Sequence, residues 1–178
     1  VLVTFCVGVG SLGLYTYISV VLERVQVDTI PGMWIWGIGG AVGAFGIGRV
    51  LDKVDSSRKL TTIIIVLLAA DFAMLLLFPS SRMVALVCLF AWGLLGWSSM
   101  APQQHSMLSA NPDEGATAVA ANASANYLGS AVGSAVGGLF LPSSTGILLG
   151  ALFVVLLGIV CSIGARALSF PKPRDNEN

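Results

Sequence analysis

Long apolar runs, divided by short polar joints, leave this chain few ways to fold. Runs such as Ile63-Ile64-Ile65-Val66-Leu67-Leu68 do not alternate with polar residues. A transmembrane barrel strand would show a period of two over about ten residues. Lipid offers no hydrogen-bond partner to the backbone, whereas a helix satisfies its own. A crossing helix needs about 20 predominantly apolar residues, because the hydrocarbon layer is about 30 Å thick and a helix rises about 1.5 Å per residue. Six stretches reach that length, at 1–22, 30–50, 61–78, 83–102, 116–141 and 146–165. The sequence therefore predicts an all-α polytopic membrane protein, with a six-helix transmembrane bundle over 1–165 and a tail over 166–178. Polar joints are expected at 23–29, 51–60, 79–82, 103–115 and 142–145. Charged residues make up 10% of the chain, against about 25% in soluble domains, so most of the surface must face the lipid bilayer.

The basic residues are sided. Arg49, Lys53, Arg58, Lys59, Arg166, Lys172 and Arg174 place seven charges at the second joint and the tail, and Arg24 and Arg82 place two at the other end. Lys and Arg are retained in the cytoplasm. The expectation is a multi-pass protein of the inner (plasma) membrane with both termini of this segment cytoplasmic. The formal net charge is zero, and no basic patch suggests nucleic acid. The first apolar run begins at Val1, without the basic lead and small-residue cleavage site of a signal peptide, which predicts a piece of a longer protein.

Chemistry-bearing motifs are few. Cys6, Cys88 and Cys161 each lie inside an apolar run and read as packing residues rather than a disulfide framework. His105 stands in a joint beside Gln103 and Gln104. Nothing has the spacing of a zinc site, a phosphate loop or a nucleophile–base pair, so the sequence points to no metal, no cofactor and no enzymatic activity. Asn111 suits a helix cap, Pro112 the first helical position, and Asp113 and Glu114 the positive helix end, which predicts the start of the fifth helix there.

Two helices are unusually rich in glycine. The second carries Gly37, Gly39, Gly40, Gly43, Gly46 and Gly48. The fifth carries Gly129, Gly133 and Gly137 at four-residue spacing, extended backwards by Asn126, Asn122 and Ala118. Such a row lies on one helical face and lets another backbone approach closely. It serves either packing within the chain or a seam that slides. The segment Gly39-Gly40-Ala41-Val42-Gly43 aligns with Gly129-Ser130-Ala131-Val132-Gly133, ninety positions on. Gly10-Ser11-Leu12-Gly13 echoes Gly93-Leu94-Leu95-Gly96. Together these lay helices one to three over helices four to six, the 3+3 inverted repeat of many transporters.

The second joint adds Gly48-Arg49-Val50-Leu51-Asp52-Lys53 followed by Arg58-Lys59. This resembles the cytoplasmic-loop signature of the major facilitator superfamily, with Asp55 where that pattern often has Gly. Pro102-Gln103-Gln104, Asn111-Pro112 and the stretch from Ala121 to Gly129 are similar to the tenth-to-eleventh-helix region of drug and sugar efflux permeases. Tyr17-Ile18-Ser19-Val20-Val21-Leu22-Glu23 resembles the end of their seventh helix, with Val20 in place of an expected Pro. The resemblance covers essentially the whole chain and matches the C-terminal six of twelve helices. It implies a proton-linked secondary transporter that exports a small organic solute, with the N-terminal six-helix half as its missing partner. Two rivals stay open: an autonomous six-helix transporter that dimerises, and a membrane scaffold that transports nothing.

By the same resemblance, the first and fourth helices line the cavity. On the first, Thr4, Gly8, Ser11, Tyr15 and Ser19 recur at three and four residues; on the fourth, Cys88, Trp92, Gly96, Ser99 and Gln103 do so. The expected substrate-cavity residues are Thr4, Ser11, Tyr15, Trp92, Ser99 and Gln103. Each also has a plain structural alternative, a hydroxyl bonded to its own helix or a packed indole. Gly39, Gly43, Asn122, Asn126, Gly129, Gly133 and Gly137 are expected in helix packing and gating. Asp71 is the acid deep within a helix and by default a functional suspect. The resemblance puts its helix at the periphery, which leaves a proton-carrying and a structural role both open.

Overall fold

The computed structural model describes residues 1–110 and 112–167, with side chains to residue 165. Asn111, expected as a cap, and the tail with Lys172 and Arg174 lie outside the described residues, as does the side chain of Arg166.

The first span is composite. It runs through α1 (Leu2–Val7), a π-helical turn (Gly8–Leu12), α2 (Gly13–Tyr15) and α3 (Ile18–Arg24). A bend of 64° separates the part ending at Tyr15 from α3. The sequence reading of one uninterrupted helix over 1–22 is corrected here. The break falls at Thr16 and Tyr17, between α2 and α3, and is separate from the π turn at Gly8–Leu12.

The second span is α4 (Thr29–Leu51), with Pro31 in its first turn, where the missing N–H costs nothing. The third is α5 (Ser57–Leu77), capped by Ser56 Oγ, which accepts from the Lys59 N–H at 3.3 Å. The fourth comprises α6 (Arg82–Ser98) and α7 (Met100–Ala110). Pro102 has no N–H to donate to the preceding turn, and the helix breaks just before it, at Ser99. The expected joint over 103–115 is thus mostly helix, because α7 runs on to Ala110. The fifth span is α8 (Gly115–Gly138), which begins after Asp113 and Glu114 rather than at Pro112, with Glu114 in the cap position. The sixth is α9 (Ser144–Ala167).

Four of these helices are long and apolar enough to cross a membrane, and the bent first pair makes five. At 24 residues α8 has the length but not the apolarity, being built largely of Ala, Gly, Ser and Asn. Its composition follows from its neighbours: the side with Asn122, Asn126, Gly129 and Gly133 is buried against protein rather than lipid.

The packing is paired: second span on fourth, fifth on first, third on sixth. Exchange one with four, two with five and three with six, and the same three pairs return. The glycines show the equivalence atom by atom. A Cβ on Gly39 would lie 2.2 Å from the Phe90 carbonyl oxygen, and one on Gly129 would lie 2.4 Å from that of Phe5. On Gly43 it would lie 2.3 Å from the Leu94 oxygen, and on Gly133 it would lie 2.3 Å from the Val9 oxygen. The reciprocal positions match too: a Cβ on Gly93 would lie 2.0 Å from the Trp36 oxygen, and one on Gly8 would lie 2.4 Å from that of Asn126. Second and fifth spans correspond at an offset of 90, first and fourth at 85 (90 minus 5, 93 minus 8). The sequence pairing of Gly10 with Gly93 is therefore corrected to Gly8 with Gly93.

Candidate functional site

The glycine rows bring four spans close enough to converge. Of the expected cavity residues, Thr4, Ser11, Trp92, Ser99 and Gln103 are all buried, and Tyr15 is half-buried. Most of the two polar stripes is thus turned inward, while Ser19 is exposed. Trp92 donates from Nε1 to Ser11 Oγ at 3.0 Å, linking the first and fourth spans. Its ring meets Phe72 edge-on at 5.7 Å, so it packs as core as well. Ser99 does not join the cluster, because its hydroxyl donates to its own helix at Gly96 O, 2.8 Å away.

Thr4, Gln103 and Asn122 do come together, one from each of the first, fourth and fifth spans. Thr4 Oγ1 donates to Gln103 Oε1 and also faces Asn122 Oδ1. A hydroxyl has one proton and can satisfy only one of those oxygens at a time. Gln103 Nε2 and Asn122 Nδ2 are buried with no hydrogen-bond partner among the described residues. The cluster therefore holds spare capacity of both kinds, two amide donors and an acceptor oxygen, in surroundings where an unmet polar group is costly. Thr4 and Gln103 also line a cavity of about 520 Å³ with Arg58, Thr61, Ser106 and Ser162, at the bundle end that carries the basic joint.

A second opening lies on the four-span face. It measures about 150 Å³ and is lined by Ser11 and Leu12, Trp36, Gly96 and Trp97, and Asn126 and Tyr127, so spans one, two, four and five all contribute. Trp36 organises it: Tyr15 stacks on its ring at 4.1 Å, and Trp92 and Trp97 meet it edge-on at 6.1 and 6.5 Å. Such offset and edge contacts are favoured by aromatic quadrupoles. Sequence reading passed over Trp36, which lies among glycines. The available signal was its spacing from Gly32, Gly39, Gly40 and Gly43, which puts it on the same inward face. Asn122, expected in packing and gating with possible substrate contact, is buried where the first and fifth spans meet and faces Thr4 in the polar cluster.

Of the remaining expected residues, Arg58 lines the 520 Å³ cavity and Asn126 the aromatic pocket, and the others fall outside both. Gly39, Gly43, Gly129 and Gly133 pack spans within the chain, and Gly137 packs on the Tyr17 ring. Tyr17 OH donates to Ser134 O, and Thr16 shares a hydrogen bond of 2.6 Å with Ser134 Oγ, so the bend of the first span is tied to α8. Gly48, Asp52, Lys53, Arg58 and Lys59 are all exposed around the second joint. Asp71 is buried between α5 and α6, away from both openings.

Comparison with known proteins now bears on this arrangement. The sequence model of the Major Facilitator Superfamily matches residues 1–134. The chain belongs to this superfamily. The match takes in the first four spans and most of α8, and ends before α9. No solved structure matches the chain. Membership makes it a multi-pass membrane protein of a transporter family.

Proposed function

We propose that the chain is the C-terminal six-helix half of a proton-coupled secondary transporter, exporting a small organic solute by alternating access. The observation that carries this reading is the aromatic pocket on the four-span face. Pockets for small solutes typically enclose about 300–1,000 Å³, and this one holds about 150 Å³. It is a partial wall, and a second half would complete it. Beside it, α4 leaves Gly37, Ala41, Ala44 and Gly48 exposed, and α8 leaves Ala120, Ser124, Ala131 and Ala135 exposed. The α4 row is smooth, while Tyr127 and Leu128 stand exposed in the middle of the α8 row; small residues at such spacing suit close approach of further helices.

Within this reading, Ser11, Trp36 and Trp97 hold the apolar body of the solute. Asn126 and the Thr4–Gln103–Asn122 cluster supply hydrogen bonds to its polar groups. The bent first span, tied to α8 through Tyr17 and Thr16, is the element whose straightening or bending would open and close the site. The sided Lys and Arg residues support a cytoplasmic side for the end with the 520 Å³ cavity and for both ends of this segment. Alternating access then exposes the pocket to each side in turn.

The test is flux. The full-length protein in proteoliposomes should move solute under an imposed pH gradient, and this 178-residue chain alone should not. Gradient-driven flux by the chain alone would defeat the half-transporter reading, and dimer-sized particles accompanying it would favour the autonomous rival.

A further inference from the structure

Asp71 has no role in the site above, yet it stands at a second opening. A groove of about 600 Å³ runs between α5 and α6, bordered by Leu67, Met74, Met83, Val87 and Leu95, with Asp71 and Cys88 at its floor. Asp71 is 7% exposed, and its Oδ2 has no hydrogen-bond partner among the described residues. The Cys88 thiol lies within hydrogen-bonding reach of the carboxyl. No Lys, Arg or His lines the groove. The walls are otherwise apolar, and Leu67, Met74, Met83 and Val87 are exposed along the outside of the bundle.

The groove also has a direction. Asp71 sits six residues before the end of α5 at Leu77, about 9 Å along the helix axis. Met83 is the second residue of α6 and the most exposed of the lining, at 74%. The groove thus starts at the membrane edge near Met83, passes the carboxyl, and continues as an apolar slot toward Leu67 and Leu95. A carboxyl oxygen with an open valence beside an apolar slot complements a cationic head on an apolar tail.

We propose that this groove is a lateral binding site for a single-tailed lipophilic amine that arrives from the bilayer. The ammonium pairs with Asp71, and the tail lies along Leu67, Val87 and Leu95. The site lies within this chain and is independent of the transporter reading, because neither opening on the polar side shares a residue with it.

The experiment uses the full-length protein in phosphatidylcholine nanodiscs, which carry no net lipid charge. The probes are decylamine with a diazirine at mid-chain and the matching neutral decyl methyl ether. After photolysis, labelled peptides are mapped by mass spectrometry. The amine should label the stretches 67–74 and 83–95 about tenfold more than the ether does, the scale of one charge-assisted hydrogen bond. Asp71→Asn keeps the shape and should bring amine labelling down to the ether level. Unlabelled decylamine should compete, and decanol should not. Equal labelling by amine and ether, or undiminished amine labelling in Asp71→Asn, would overturn the proposal by showing an acyl slot without charge recognition. If Asp71→Asn fails to insert, the amine–ether and decylamine–decanol comparisons in the native protein decide alone. The readout is labelling rather than flux, so its failure is distinct from failure of the transporter reading.

Discussion

Two glycines on one helix should respond to the same substitution with opposite signs. Gly37 and Gly39 both belong to α4, two positions apart. A Cβ on Gly37 meets nothing within 4 Å, whereas on Gly39 it would lie 2.2 Å from the Phe90 carbonyl oxygen and 3.0 Å from its carbon. Alanine favours a helix interior over glycine by about 0.5–1 kcal/mol, so Gly37→Ala should stabilise the isolated chain by that amount. Gly39→Ala gains the same term, but the obstacle is backbone rather than a flexible side chain. Reaching even 3.0 Å requires α4 and α6 to separate by 0.8 Å (3.0 minus 2.2). Overpacking of this kind costs about 1–3 kcal/mol, which leaves Gly39→Ala destabilised by up to about 2.5 kcal/mol. For a domain of this size that is up to about 10 °C in Tm. Thermal unfolding of the 178-residue chain in detergent, followed by circular dichroism, reads both variants. The repeat demands that Gly129→Ala, its counterpart at offset 90, behave like Gly39→Ala. Equal stabilisation by Gly37→Ala and Gly39→Ala would show that the spans are not in backbone contact, and the paired packing would fall with it.

Other consequences can be checked separately. Single cysteines at Ser57 and Asp28, in a background lacking Cys6, Cys88 and Cys161, should react with an impermeant thiol reagent from opposite sides; labelling of both from outside sealed cells would overturn the topology. In the full-length protein, Gly133→Leu should impair transport more than Leu156→Ala at matched membrane levels. A Cβ on Gly133 would already lie 2.3 Å from the Val9 carbonyl oxygen, while Leu156 is 46% exposed. Comparable transport by the two would show that this contact is dispensable.

Class and packing were readable in the residues because each has a local chemical cause. Unbroken apolar runs leave helices as the spanning option, and the close backbone contacts of the second span on the fourth and the fifth on the first demand glycine, so the repeat at offset 90 survives in the letters. The repeat at 85 was obscured because the first span has Gly8, Gly10 and Gly13, any of which could have been the partner of Gly93; only the contact of Gly8 with Asn126 selects it. The bend at Thr16–Tyr17 contains no Pro and left no mark in composition. The extent of α7 was missed for the opposite reason. Gln103, Gln104, His105 and Ser106 look like a polar joint, yet Gln103 and Ser106 are buried, and Ser106 Oγ donates to Pro102 O within the helix at 2.8 Å. Polar residues at this end avoid lipid by facing protein, which hydropathy along the chain cannot register.

The repeat also separates what the fold requires from what it does not. Carried through the offsets of 85 and 90, Thr4 corresponds to Leu89, Gln103 to Ile18 and Asn122 to Gly32. Leu89 and Ile18 are buried, and Gly32 packs on the Leu22 side chain. The equivalent positions are therefore polar in one repeat and apolar in the other, and we expect that the polar groups are not needed to hold the spans together. Thr4→Val alone should destabilise the protein by about 1–3 kcal/mol, because it leaves two buried carboxamides facing a methyl group. The combined change Thr4→Val, Gln103→Met and Asn122→Leu removes every partner at once and should be nearly neutral. Its Tm should return to within a few degrees of the native value while transport by the full-length protein is lost. If the triple variant instead melts below Thr4→Val, the cluster is a structural tie and the apolar crossing is a poor guide to it. If the triple variant folds and still transports, the solute does not use these carboxamides, and the aromatic pocket around Trp36 must act without them.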